Sequence, residues 1–181
     1  PLTLPTLSFL STVESFRFTH SIFLDSRSWN TKNPETAPGT QLTNAICNRI
    51  DRLRRLSVDC DSRWSISEED LAMICNTFAP CLEFLEVRFN RAVTDAGWAR
   101  ILRRLRNLTH LDLGYSHHIA GETMKAIGRC LPNLTALDVA NCTRLRDEHI
   151  AYLSGAGDDD SSSNDRNNIG GRFVLSRLRK L

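Results

Sequence analysis

No stretch of this chain approaches the roughly eighteen consecutive apolar residues of a bilayer-crossing helix, so no helical membrane span is expected. The N-terminal PLTLPTLSFL has neither a basic leader nor a clear cleavage site, and nothing in it demands secretion. An excess of one charge is also missing. The 23 Lys and Arg stand against 21 Asp and Glu, a net of +2, which is too even to mark a polyanion-binding surface. Neither nucleic acid nor membrane is therefore the expected partner. Cysteine is present at six positions (Cys47, Cys60, Cys75, Cys81, Cys130 and Cys142), but 181 residues with 41% hydrophobic content do not need disulfides to hold a core. Reduced thiols in an intracellular protein, cytoplasmic or nuclear, are the expectation.

What the chain does have is a repeat. LEFLEVRFN begins at Leu82, LTHLDLGYS at Leu108 and LTALDVANC at Leu134, each 26 residues after the last. A fixed period between about 20 and 50 residues is the signature of a solenoid, and L-x-x-L-x-L-x-x-[N/C] is the leucine-rich pattern. Agreement continues beyond the opening motif. Val93, Ile119 and Leu145 align, as do Trp98, Met124 and Ile150, and then Ile101, Ile127 and Leu153, with Leu105 matching Leu131. Spacings of three to five mark one face of a helix, whereas L-x-L marks a strand with alternating faces. Each unit is thus predicted as a strand, a turn and a helix.

A further unit opens at Leu53 with LRRLSVDCD and carries Ile66, Leu71, Ile74 and Phe78 on its helix stripe once an insertion after the strand is allowed. Ser67, followed by Glu68, Glu69 and Asp70, predicts a capped, acid-rich helix start; Thr94 and Asp95 predict the same one unit later. Residues 13–52 read as a degenerate repeat. VESFRFTHS supplies its strand in preference to LPTLSFL, a polar insertion covers about 25–39, and Leu42, Ile46 and Ile50 form a helical stripe. Residues 154–171 are too polar to offset their ordering entropy and are predicted to be a loop. Leu178 and Leu181 then look like the start of another repeat. The expected architecture is α/β: a single leucine-rich repeat domain over 1–181, a right-handed horseshoe with a parallel concave sheet and convex helices. With no polar cap visible at either end, it is expected to be part of a longer solenoid.

The units extend to L-x-x-L-x-L-x-x-[N/C]-x-x-[I/V]-x-[D/G], and CLPNL (Cys130 to Leu134) joins one helix to the next strand. In this the chain resembles the cysteine-containing leucine-rich repeats of F-box proteins, the substrate receptors of SCF ubiquitin ligases. The resemblance covers about residues 53 to 153. It implies a non-catalytic recognition module acting in ubiquitin-dependent degradation, with the SCF adaptor as partner only if an F-box lies outside this stretch. Cys142 holds the family's ladder position; the equivalent residues here are Asp61, Asn90 and Ser116. The alternative function is a regulatory or scaffolding repeat domain, like those that hold a GTPase or inhibit a ribonuclease.

If the leucines point inward, the residues between them face the concave sheet. That register places Arg17, Ser57, Glu86, Asp112 and Asp138 in one column, with Arg55, Phe84, Arg88, Phe89, His110 and Tyr115 around it. Parallel strands lie about 4.8 Å apart, so three successive carboxylates would make an acidic strip beside the aromatics. The expected partner is a basic or amide-rich protein segment, anchored chiefly on Phe84 and Phe89.

No cofactor, metal or catalytic residue is expected. His117 and His118 are neighbours in a turn and do not converge with two further ligands. Asp158 to Asp160 lack the alternation of a calcium loop. A Cys/His hydrolase, the remaining alternative, needs a thiol beside an oriented imidazole, which nothing in the pattern supplies for His110 or His149. The Arg100, Arg103, Arg104 and Arg106 cluster is read as a solvated helix face.

Overall fold

The computed structural model describes residues 14–18, 43–44, 46–48, 50–61 and 65–154. Trp29, Trp64, the 25–39 insertion, Thr19, His20 and everything after Ser154 lie outside them. Strands β1 (Ser15–Phe18), β2 (Arg55–Asp59), β3 (Phe84–Arg88), β4 (His110–Asp112) and β5 (Ala136–Asp138) form one parallel sheet in chain order. Helices α1 (Glu68–Phe78), α2 (Asp95–Leu102) and α3 (Gly121–Cys130) connect β2 to β5, and α4 (Asp147–Ala151) follows β5. No helix among the described residues is long and apolar enough to cross a membrane.

The strand pairing is the one the leucine spacing demands. Leu56 pairs with Leu85, Leu85 with Leu111 and Leu111 with Leu137, all buried on the helix side of the sheet. The repeat-opening Leu53, Leu82, Leu108 and Leu134 are fully buried behind them. Helix positions Val93, Ile119, Trp98, Met124, Ile101, Ile127 and Leu153 complete one continuous core, against which Leu145 and Ile150 are partly buried. Each fully buried side chain of this size contributes roughly 1.5–3 kcal/mol, so the aligned apolar columns are the main source of stability.

The other source lies at the seams, where strand ends and helix starts leave backbone groups bare. Asn90 is buried; its amide donates to the Ile66 carbonyl (3.2 Å) while its Oδ1 accepts from the Ala92 and Val93 N–H groups (3.1 and 2.8 Å). Ser116 donates to the Val87 carbonyl and Cys142 to that of Leu113, both at 3.3 Å. A second ladder runs just before the strands: Asn107 donates to the Pro80 carbonyl and Asn133 to that of Arg106.

Asp61 is not the first rung. The structure buries Cys60 instead, with its Sγ 3.7 Å from the Asn90 amide. The reason is backbone geometry. Phe89, Tyr115 and Asn141, seven residues after their repeat leucines, are left-handed, with φ of 57°, 61° and 55°. That twist interrupts strand alternation, throwing residue seven outward and handing residue eight to the core. The unit that opens at Leu53 has no such break there, so alternation continues and its seventh residue, Cys60, turns inward.

Helix starts are capped twice. Ser67 Oγ accepts from the Asp70 N–H and Thr94 Oγ1 from the Gly97 N–H, as their positions predict. Glu68 reaches across to the next unit, accepting from the Thr94 N–H (3.1 Å) and hydroxyl (2.8 Å) and pairing with Arg100. Gly97 makes room for it: a Cβ there would overlap the Glu68 carboxylate. Asp95 repeats the reach, with Oδ1 accepting from the Ala120 N–H and from the Thr123 N–H and hydroxyl, and Oδ2 from the Glu122 N–H. Helix α3 has no side-chain cap of its own, and the preceding unit supplies it.

Partial burial would push the Asp95 carboxyl up, but the bonds from Thr123, Glu122 and Ala120 more than offset it and hold it below the ordinary range. A depressed folded value gives stability that is complete above the unfolded value of about 3.9 and is lost as pH falls through the folded one. Asp95→Asn is accordingly expected to cost about 1–2 kcal/mol at neutral pH, the worth of a good cap. Urea unfolding at a series of pH values should show the gap from wild type constant above about pH 5 and narrowing below pH 4.

Candidate docking face

Helices cover one side of the sheet; the other carries the residues between the leucines. The predicted column is present residue for residue: Arg17 pairs with Ser57, Ser57 with Glu86, Glu86 with Asp112 and Asp112 with Asp138. Beside it runs a second row, Arg55, Phe84, His110 and Ala136. A third element, Phe89 with Tyr115, stands where β3 and β4 end.

The column is not a bare acidic strip. Glu86 accepts from the Ser57 hydroxyl at 2.7 Å and lies 3.7 Å from Arg17, and Ser57 is buried beneath that contact. Arg88 Nε lies 3.6 Å from Asp112, an ion pair beyond hydrogen-bond reach. Asp112 and Asp138 also serve their own turns, accepting from the Gly114 N–H (2.9 Å) and the Ala140 N–H (2.8 Å). Among the described residues the Lys and Arg of the face come from β1 to β3, as Arg17, Arg55 and Arg88. β4 and β5 bring carboxylates without a Lys or Arg. The face therefore grades from basic to acidic along the sheet.

Aromatic side chains are set by cations and by each other. Arg55 sits 5.1 Å over the Phe84 ring, and His110 packs against its neighbouring side at 5.7 Å. Phe84 is half-buried by this arrangement. Phe89 and Tyr115 stack at 4.5 Å with rings 17° apart, and Arg88 lies within 6 Å of both. These two are, with Met73, the exposed large hydrophobic residues of the described chain, at 41% and 36%. Of the two expected anchors, Phe89 is presented outward and Phe84 is partly enclosed; Tyr115 joins Phe89.

Their backbone sharpens the point. A left-handed residue costs about 1–2 kcal/mol unless it is glycine or, less so, asparagine. Asn141 holds the equivalent place in the next unit at small cost. At Phe89 and Tyr115 the same turn is made by bulky residues whose rings are not repaid by full burial.

The buried thiols Cys60, Cys75 and Cys142 do not have a nucleophile's surroundings. Burial pushes Cys75 up to about 12 and raises Cys60 and Cys142 as well. No group of three or more His, Cys, Asp or Glu converges for a metal among the described residues. Sequence reasoning missed Arg54, which stands just before β2 and bridges Glu14 (3.6 Å) to Glu83 (2.9 Å). It also missed the outward reach of Asp95, although the uncapped Ala120-Gly121 start of α3 was a signal that the cap had to come from elsewhere.

Burial pushes the Asp112 carboxyl up; the Gly114 N–H opposes that, Asp138 adds to it, Arg88 opposes and Glu86 adds, and the balance lies above the ordinary range. A raised carboxyl penalises the native state above its folded value and costs nothing below the unfolded one, where both states are protonated. Asp112→Asn keeps the acceptor for Gly114. It is expected to melt no lower than wild type at pH 7 and to gain nothing at pH 3, as thermal scans at the two pH values would show.

A family model described as Leucine Rich repeat matches residues 104–128. The F-box protein SKIP1 of Arabidopsis thaliana is 43% identical over 58 residues, a stretch that covers 32% of this chain and 19% of that protein. The match thus spans about a fifth of the relative's length. The matched stretch, β4 and most of α3, belongs to the same parallel strand-turn-helix array whose units open at Leu53, Leu82, Leu108 and Leu134, and on these grounds the chain carries leucine-rich repeats.

Proposed function

We propose that this chain is a non-catalytic recognition module whose exposed sheet face docks a protein segment, and that it serves as the substrate-receptor repeats of an F-box-type ubiquitin ligase subunit. In this reading the repeats curve as a right-handed arc with the sheet on the concave side. The observation that carries the docking reading is the pair Phe89 and Tyr115, held outward in a backbone conformation that disfavours them. Exposed aromatics beside charged groups are typical interface anchors. The ubiquitin arm is supported by the partial likeness to an F-box protein.

The backbone argument separates folding from recognition. Glycine suits a left-handed position better than Phe or Tyr, so Phe89→Gly with Tyr115→Gly is expected to change unfolding free energy by no more than about 1 kcal/mol. The same pair should weaken capture of the partner that the wild-type protein retains from native cells by tenfold or more, since an aromatic anchor is worth about 2 kcal/mol or more. Undiminished capture, quantified by mass spectrometry, defeats the docking reading.

The ubiquitin arm has its own test. The full-length protein should co-purify with the SCF adaptor through a segment outside these repeats. A full-length protein that binds partners through this face but never the adaptor would instead be a regulatory or scaffolding repeat protein.

A further inference from the structure

The second row of the sheet face shrinks along its length, from Arg55 through Phe84 and His110 to the single methyl of Ala136. The loss of volume leaves a depression walled by Phe84 and His110, with Ala136 and Leu137 beneath and with Asp112 and Asp138 at its end. Its chemistry is specific in two respects. The walls are flat rings, 5.7 Å apart between centroids and tilted by 31°. Its end is anionic, in the part of the sheet where the strands bring no cation of their own.

The three carboxylates of the column are not in equal states. Glu86 faces Arg17 and Asp112 faces Arg88. Asp138 is exposed, uses Oδ1 for the Ala140 N–H, and has no ion pair among the described residues. Its charge and that of Glu86 both bear on Asp112. A cation placed here would meet two carboxylates on adjacent strands and relieve their mutual repulsion.

We propose that this depression receives an arginine side chain from the docked protein segment, its guanidinium lying against Phe84 and His110 and donating to Asp138 and Asp112. The proposal rests on the docking reading above and names what one part of that face selects. A planar guanidinium fits both features: it stacks on aromatic rings and presents parallel N–H donors to carboxylates, which a compact ammonium does not. Arg55 already stacks over Phe84 within the protein, which shows that this ring accepts a cation over its face.

The probe is N-acetylarginine amide, with N-acetylcitrulline amide as its neutral isostere, titrated into the ¹⁵N-labelled 181-residue chain and followed by amide chemical shifts. Saturable shifts are expected at His110 to Asp112 and Ala136 to Ala140 with the arginine probe, and none with citrulline. Asp138→Asn keeps an acceptor for the Ala140 N–H, so the fold should persist, while the probe's affinity should fall about tenfold for the loss of one charge-assisted contact. Ala136→Leu fills the depression without altering charge and should abolish the saturable shifts. Glu122→Gln, on the helix side, removes the same charge at a distance and should leave binding unchanged.

Shifts scattered over acidic residues generally, equal binding of citrulline, or unaltered affinity in both Asp138→Asn and Ala136→Leu would each overturn the proposal. Should the probe fail while the Phe89 and Tyr115 variant still loses its partner, the arginine site falls and the docking reading stands. Loss of both would remove the two together.

Discussion

Each unit of this protein leaves backbone donors and acceptors bare where strand gives way to helix, and the structure depends on the neighbouring unit satisfying them. The leucine columns supply most of the energy of burial, but they are non-directional and tolerate slippage. Direction comes from Asn90, Ser116 and Cys142 reaching back to carbonyls of the preceding unit, and from Glu68 and Asp95 reaching forward to the next helix start. An unmade bond at such a buried site costs about 1–3 kcal/mol, so a strand displaced by one residue loses several at once.

The same seams connect fold to function. Handing residue eight to the core requires residue seven to adopt the left-handed conformation, and that requirement pushes residue seven out onto the sheet face. Phe89 and Tyr115 are exposed because Asn90 and Ser116 are buried. In the unit that opens at Leu53, where no such twist occurs at the seventh residue, Cys60 is consumed by the core and the described residues put no aromatic on the face at that level. The exposed face of the sheet is thus shaped by the hydrogen-bonding needs of the interior.

Much of this was legible in the sequence. The alternating apolar pattern of the strand motifs fixed the register, and with it the Arg17, Ser57, Glu86, Asp112, Asp138 column, because a period-two strand admits only one assignment of faces once its apolar residues are buried. Ser67 and Thr94 were readable as caps for the same local reason. What was not legible was pairing between long side chains. Nothing in the spacing says that Arg17 lies on Glu86 or Arg88 beside Asp112, since both arginines have rotamers that point elsewhere. The Asp61 assignment failed because counting residues assumes a uniform backbone, and one φ angle shifts the count by one.

The forward reach of the acidic residues has a direction and an end. Glu68 supports the helix after it, and Asp95 the next, but the corresponding place in α3 is Gly121, which has no side chain to extend. Helix α4 begins instead with a long 3.4 Å contact from the Arg146 N–H to its own His149, and it buries no residue fully. Order is therefore inherited down the chain from each unit to its successor, and the inheritance lapses after the third helix. A cut on the N-terminal side of a unit orphans that unit's own helix start, whereas a cut on the other side leaves the earlier helix starts intact.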